Sequence, residues 1–102
     1  MTVVVQGVAR IRPDSIETMS AAAASMGEAS RAEAGCNSYR FSWDIADPTV
    51  LVLAEEWASE TALQAHLASP GFAAFAEVFG QVVDGTPEFV RFDVTASRPL
   101  FG

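Results

Sequence analysis

The residues best suited to chemistry lie between Glu55 and Phe79. This stretch holds the chain's only histidine, His66, together with one of its two tryptophans and three of its seven phenylalanines. Histidine is the one side chain whose unperturbed pKa lets it take and return a proton near neutral pH, so His66 is the candidate general base. It falls between Leu63 and Leu67 on what reads as the inner stripe of a short helix. The competing reading is a half-buried histidine bonded to a backbone carbonyl or a carboxylate. Glu55 shares a strand face with Leu51, Leu53 and Trp57, an acid among apolar neighbours. Either it acts on a substrate or on His66, or it pairs with an arginine as a structural bridge. Trp57, Tyr39, Trp43, Phe72, Phe75 and Phe79 are the candidate walls of a flat slot for a small aromatic molecule, although large aromatics at such positions also serve as core.

Composition removes other chemistries. The chain has no lysine, which excludes a Schiff base with a carbonyl substrate or pyridoxal phosphate. One histidine and one cysteine, Cys36, provide no zinc or iron–sulfur ligand set and no intramolecular disulfide. The net charge is −7, and the six arginines are scattered along the chain, so no basic face exists to neutralise phosphates and a nucleic-acid partner is excluded. No apolar run is long enough for a membrane span, and MTVVVQGVARIRP lacks the basic start and long apolar run of a signal peptide, so a cytoplasmic location is expected.

The 102 residues form one domain with a modest core, and alternating periodicities give its order. Thr2 to Ile11 is β-branched and ends at Arg12-Pro13, a strand whose Val3-Val4-Val5 start is apolar on both faces. Asp14, with Glu17 three residues on, predicts a capping box opening a helix to about Ala34, with Ile16, Met19, Ala23, Met26 and Ser30 inward and Gly35 as its stop. Asn37 to Ile45 and Val50 to Trp57, joined by Ala46-Asp47-Pro48-Thr49, read as a hairpin, with Asn37, Tyr39, Phe41, Trp43 and Ile45 on one face. Ser59 caps a short helix with Ala62, Leu63, His66 and Leu67 inward. Ser69 caps the next, with Pro70 in its first turn and Phe72, Phe75 and Phe79 as its stripe. Gly85-Thr86-Pro87 reads as a turn before a last strand, Glu88 to Thr95, and the Pro-Leu-Phe tail is expected to pack on something.

Strand, helix, strand, strand, broken helix, strand is the split βαβ order of a ferredoxin-like α+β domain. Right-handed crossovers place the helices on one face of a four-stranded antiparallel sheet. Strands apolar on both faces then call for a cover on the other side, most simply the sheet of an identical subunit in a two-fold homodimer.

The run Gly35-Cys36-Asn37-Ser38-Tyr39, then Asp47-Pro48, Glu55-Glu56-Trp57, Ala62-Leu63-Gln64-Ala65-His66, and Ser69-Pro70-Gly71-Phe72 with Phe75, resembles the antibiotic biosynthesis monooxygenase domain family. The likeness follows the element order of the whole chain and is most specific from Gly35 to Phe75. It implies a dimeric α/β barrel with a cavity between sheet and helices in each subunit. It also implies oxidation of quinols or aromatic polyketides by O2 with no cofactor, the substrate supplying the electrons. That chemistry needs a base for a phenolic proton, because the anion passes an electron to O2 far more easily than the neutral phenol, and an apolar pocket that excludes water. The haem-degrading branch of the family uses an asparagine, a tryptophan and a histidine, where this chain has Gly7, His66 and Ala76, so that activity is not expected. Another branch isomerises a small phosphorylated hydroxyketone, for which a phosphate would call for an arginine such as Arg40 or Arg91. A non-catalytic dimer binding an aromatic metabolite is the third reading.

Overall fold

The computed structural model describes residues 1–102. Strand β1 (Thr2–Ile11) is followed by a 3-10 turn (Pro13–Ser15), helix α1 (Ile16–Arg31) and the hairpin strands β2 (Cys36–Trp43) and β3 (Val50–Trp57). Helices α2 (Glu60–Leu67) and α3 (Pro70–Val82) then lead into strand β4 (Val83–Val94). The sheet order is β2-β3-β1-β4, with antiparallel neighbours throughout. This is the ferredoxin-like α+β domain expected from the order of elements.

Antiparallel pairing sorts the strand residues into rows that share a face. Tyr39, Glu55, Val5 and Arg91 form one inner row across all four strands, and Phe41, Leu53, Gly7 and Phe89 form the next. The helices cover this face. Val3, Tyr39, Leu53 and Trp57 pack with Met26 of α1 and Leu63 of α2, while Ala9, Ile11 and Leu51 pack with Met19 of α1 and Val82 of α3. On the opposite face Val8, Val90 and Phe92 are about half exposed.

Several expected boundaries moved, each for a local reason. Asp14 does not cap α1: its carboxylate accepts from Arg12 and from the Ser15 hydroxyl, and a 3-10 turn with Pro13 at its first position precedes the helix. The helix ends at Arg31 rather than near Ala34. A bulge between Cys36 and Ser38 removes Asn37 from the Tyr39 face, and its amide donates to Glu56 instead. Strand β2 stops at Trp43 because the Asp44 carboxylate accepts from the amides of Ala46 and Asp47, closing a turn that leaves Ile45 in solvent. Gly85-Thr86-Pro87 is no turn between elements: the chain passes from α3 straight into β4, and these residues are absorbed where the pairing register slips between Val8 and Arg10, with Gly85 at φ +80°. Leu100 and Phe101 of the tail are exposed rather than packed within the chain.

Gly35 is required where it stands. Its φ is +80°, and a Cβ there would lie 2.5 Å from the Ala62 Cβ on α2, the helix that carries His66. Gly35→Ala is therefore expected to cost about 2 kcal/mol or more, from the left-handed backbone and from overpacking, read as a lower urea midpoint with an unchanged m value.

Candidate functional site

Ser59 and Ser69 fix the helix pair that delivers His66. Each side chain accepts the amide three residues on, from Ala62 and from Phe72. The Ser69 hydroxyl and amide both donate to the His66 carbonyl, so the break between α2 and α3 is bonded to the histidine's own backbone. The His66 ring is 1% exposed and wrapped by aromatics. Its centroid lies 4.6 Å from Trp57, 5.3 Å from Tyr39 and 5.5 Å from Phe72. Nδ1 stands 2.9 Å from Oε1 of Glu33, in the turn after α1. A carboxylate at that distance accepts the Nδ1 proton, which leaves Nε2 as the basic nitrogen available to a bound molecule.

Glu55 lies nearby, 6% exposed, and accepts a 2.7 Å bond from the indole Nε1 of Trp57. Burial pushes its carboxyl above the usual glutamate range, opposed by the Trp57 bond and by the proximity of His66. No arginine bridges Glu55, and the carboxylate bonded to His66 is Glu33. Burial, and then the charge of Glu55, raise the Tyr39 phenol too.

His66, Glu55 and Tyr39 line a cavity of about 280 Å³. Its floor is the strand row Tyr39, Glu55, Val5 and Arg91. Leu53 and Phe89 extend it from the neighbouring row, and Leu63, Gln64, His66, Leu67 and Phe72 close it from the helices. The lining is mainly apolar, with Tyr39, Glu55, Gln64, His66 and Arg91 as its polar members, the composition of a small-molecule site. Gly7 helps to shape it, since a Cβ there would come within 2.6 Å of the Phe89 ring.

The six aromatic residues proposed as slot walls do not stay together. Tyr39 and Phe72 line the cavity. Trp57 is fully buried beneath it, with its indole turned to Glu55 and its face to His66. Phe75 and Phe79 stand behind Phe89, in a stack running from Phe41 through Phe75 and Phe79. Trp43 is elsewhere, donating to Ser20 and lining a separate hollow between α1 and β2. The sequence reading missed Glu33, Gln64 and Phe89. Glu33 fell inside the expected helix, where its spacing gave no reason to pair it with a residue 33 positions later. Phe89 was legible only as the alternate face of a strand.

The Glu55 shift makes a stability prediction. A carboxyl whose folded-state pKa lies above its unfolded value keeps its proton in the native state after the unfolded chain has lost it. Stability therefore falls as pH rises through that window, and the full cost persists above it. Glu55→Gln removes the ionisation and keeps an oxygen for the Trp57 indole. The variant is expected to be more stable than the parent at neutral pH, with the difference vanishing in acid, as read from urea unfolding at the two pH values.

The fold and site together define an α+β domain with a buried histidine, bonded to a part-exposed carboxylate, beside an apolar cavity. Comparison with known proteins specifies the family. Residues 2–78 match the model of the antibiotic biosynthesis monooxygenase family, and the chain belongs to that family. It is 35% identical over 98 residues to the uncharacterised protein sll1783 of Synechocystis sp., an alignment covering 96% of this chain and 67% of the relative. Among solved structures, Rv0793 from Mycobacterium tuberculosis superposes with a TM-score of 0.89 at 25% identity, covering 97% of this chain and 100% of that one. A structure described as an antibiotic biosynthesis monooxygenase gives a TM-score of 0.85 at 24% identity, covering 92% and 99%. No cluster of three or more His, Cys, Asp or Glu residues is placed to hold a metal ion, and no helix is long and apolar enough to cross a membrane.

Proposed function

We propose that the protein is a cofactor-independent monooxygenase acting on a quinol or a related phenolic, polyketide-like aromatic. The observation that carries this reading is His66, buried among aromatic rings, lining an apolar cavity of about 280 Å³ and bonded from behind to Glu33. Glu33 holds the Nδ1 proton, and Nε2 takes the phenolic proton of the substrate. The anion passes one electron to O2, and the resulting substrate radical and superoxide combine to form a carbon–oxygen bond. The peroxide takes a proton back from His66, then loses its C–H proton as the O–O bond breaks. One oxygen stays as a new carbonyl and the other leaves as water, so that a ring methylene and O2 give a ring carbonyl and one water. Exclusion of bulk water by Leu63 and Phe72 protects the intermediate.

The cavity residues also weigh against isomerisation of a phosphorylated hydroxyketone. Arg91 is the only arginine at the cavity, and its guanidinium is already engaged by two carboxylates. Arg40 shares a row with Ala54, Gln6 and Val90 on the opposite face of the sheet. The homodimer is part of the proposal. The exposed Val8, Val90 and Phe92 support it, because they would meet their copies across a two-fold axis and cover the open sheet face. Light scattering at micromolar protein is expected to give twice the chain mass, and a monomer there would remove this part.

Turnover under labelled dioxygen tests the reaction type. The expected result with an anthrone is one labelled oxygen in the quinone product and one in water. Product carrying oxygen only from solvent, or turnover in the absence of O2, would overturn the reading.

A further inference from the structure

At the Arg91 end of its floor the cavity meets an ion cluster that the proposed chemistry does not use. Arg91 is the only cavity-lining residue with a permanent positive charge, yet all three of its nitrogens are occupied. Nε and Nη2 donate to Asp93 at 3.0 and 2.8 Å. Nη1 donates to Glu60 at 3.1 Å, and Nη2 donates to the other oxygen of the same carboxylate. Gln64, which also lines the cavity, donates to Glu60 at 2.8 Å. The cluster thus ties β4 to the first turn of α2, the helix that carries His66. Glu60, Arg91 and Asp93 also border the outer hollow beside Met1 and Val3, so Arg91 stands between that hollow and the inner cavity. The charges at this wall do not balance: two carboxylates surround one guanidinium, Glu55 sits at the floor, and the whole chain carries −7.

An anionic ligand gains from an arginine only if the guanidinium can offer its paired donors to it. Here a carboxylate or phosphate on the ligand must first displace Glu60 or Asp93 and then lie among the remaining acids. A neutral phenol meets no such requirement. We infer that Glu60 and Asp93 are specificity-determining residues that, by occupying Arg91, restrict the cavity to uncharged aromatic ligands and exclude anionic ones. Specificity of this kind rests on a repulsive element built against the wrong ligand. The inference depends on the cavity being the binding site of the proposed function, but not on the reaction carried out there.

The test is calorimetric binding of a matched pair, naphthol and naphthoate, at low ionic strength in the absence of turnover. The native protein is expected to bind naphthol at least about tenfold more tightly than naphthoate. Glu60→Gln frees donors on Arg91 and is expected to narrow that ratio by about tenfold. Asp93→Asn should shift it in the same direction, which covers the case of one variant folding poorly. Adding Arg91→Met to Glu60→Gln should restore the original preference, identifying Arg91 as the group released. Equal affinity of the native protein for both ligands, or a ratio unchanged in both single variants, would overturn the inference, as would binding of neither ligand. Naphthol discriminated as expected but no oxygen consumed with any phenol would leave this inference standing and remove the oxygenase. Oxygen consumed with an unchanged ratio would do the reverse.

Discussion

Replacing His66 by alanine is expected to lower kcat for oxygen-dependent turnover by roughly 10²- to 10⁴-fold, the range of a lost general base. The size follows from the absence of a substitute. No second histidine or any lysine exists in the chain, Tyr39 is pushed up by burial, and Glu55 is tied to the Trp57 indole. Glu33→Gln should also lower kcat, because an amide no longer stabilises the imidazolium and can turn its NH2 toward Nδ1, which moves the ring proton to Nε2. Since His66 is buried, His66→Gln serves beside alanine, and thermal melts separate lost chemistry from lost folding. A loss with alanine that glutamine fully restores would mean that His66 packs rather than reacts.

Trp57→Ala is expected to be the most destabilising single change at the site, costing about 3–5 kcal/mol for the emptied volume alone. Trp57 is 0% exposed and packs with Val3, Leu53 and Leu63. Its removal also withdraws the only side-chain donor to the buried Glu55, which adds a desolvated acceptor to the cavity left behind. For a domain this small the midpoint should drop by about 15–30 °C. Trp57→Phe should cost much less, since it keeps an aromatic ring over His66 and loses chiefly the N–H donor. Glu55→Gln in the Trp57→Phe background should then stabilise more than it does in the native protein, the signature of direct coupling between contacting residues.

The fold was legible because its signals are local. Serines three residues ahead of amides they bond, Pro70 in a first turn and alternating strands each need only a few neighbouring residues. The site was legible in part. Periodicity placed His66 inward and put Glu55 on the face of Trp57, and both line or underlie one cavity. What stayed hidden were pairings between elements distant in the chain. Glu33 with His66 and Glu60 with Arg91 depend on how one helix end meets another element, which no single-chain period encodes. The aromatic stripe of α3 misled for a related reason. Spacing puts Phe72, Phe75 and Phe79 on one side, but a helix stripe meets different parts of the sheet along its length, and only the first turn reaches the cavity. The turn at Gly85-Thr86-Pro87 was misread because the same residue types serve a bulge inside a strand.

Oxygen uptake by metal-stripped protein across a panel of quinols and anthrones tests most directly whether buried His66, held by Glu33, removes a phenolic proton so that the substrate can reduce O2. One O2 is expected to be consumed per substrate oxidised, with the rate collapsing in His66→Ala and falling in Glu33→Gln. Uptake that proceeds at the native rate in folded His66→Ala protein, or none with any electron-rich phenol, would contradict this role of His66.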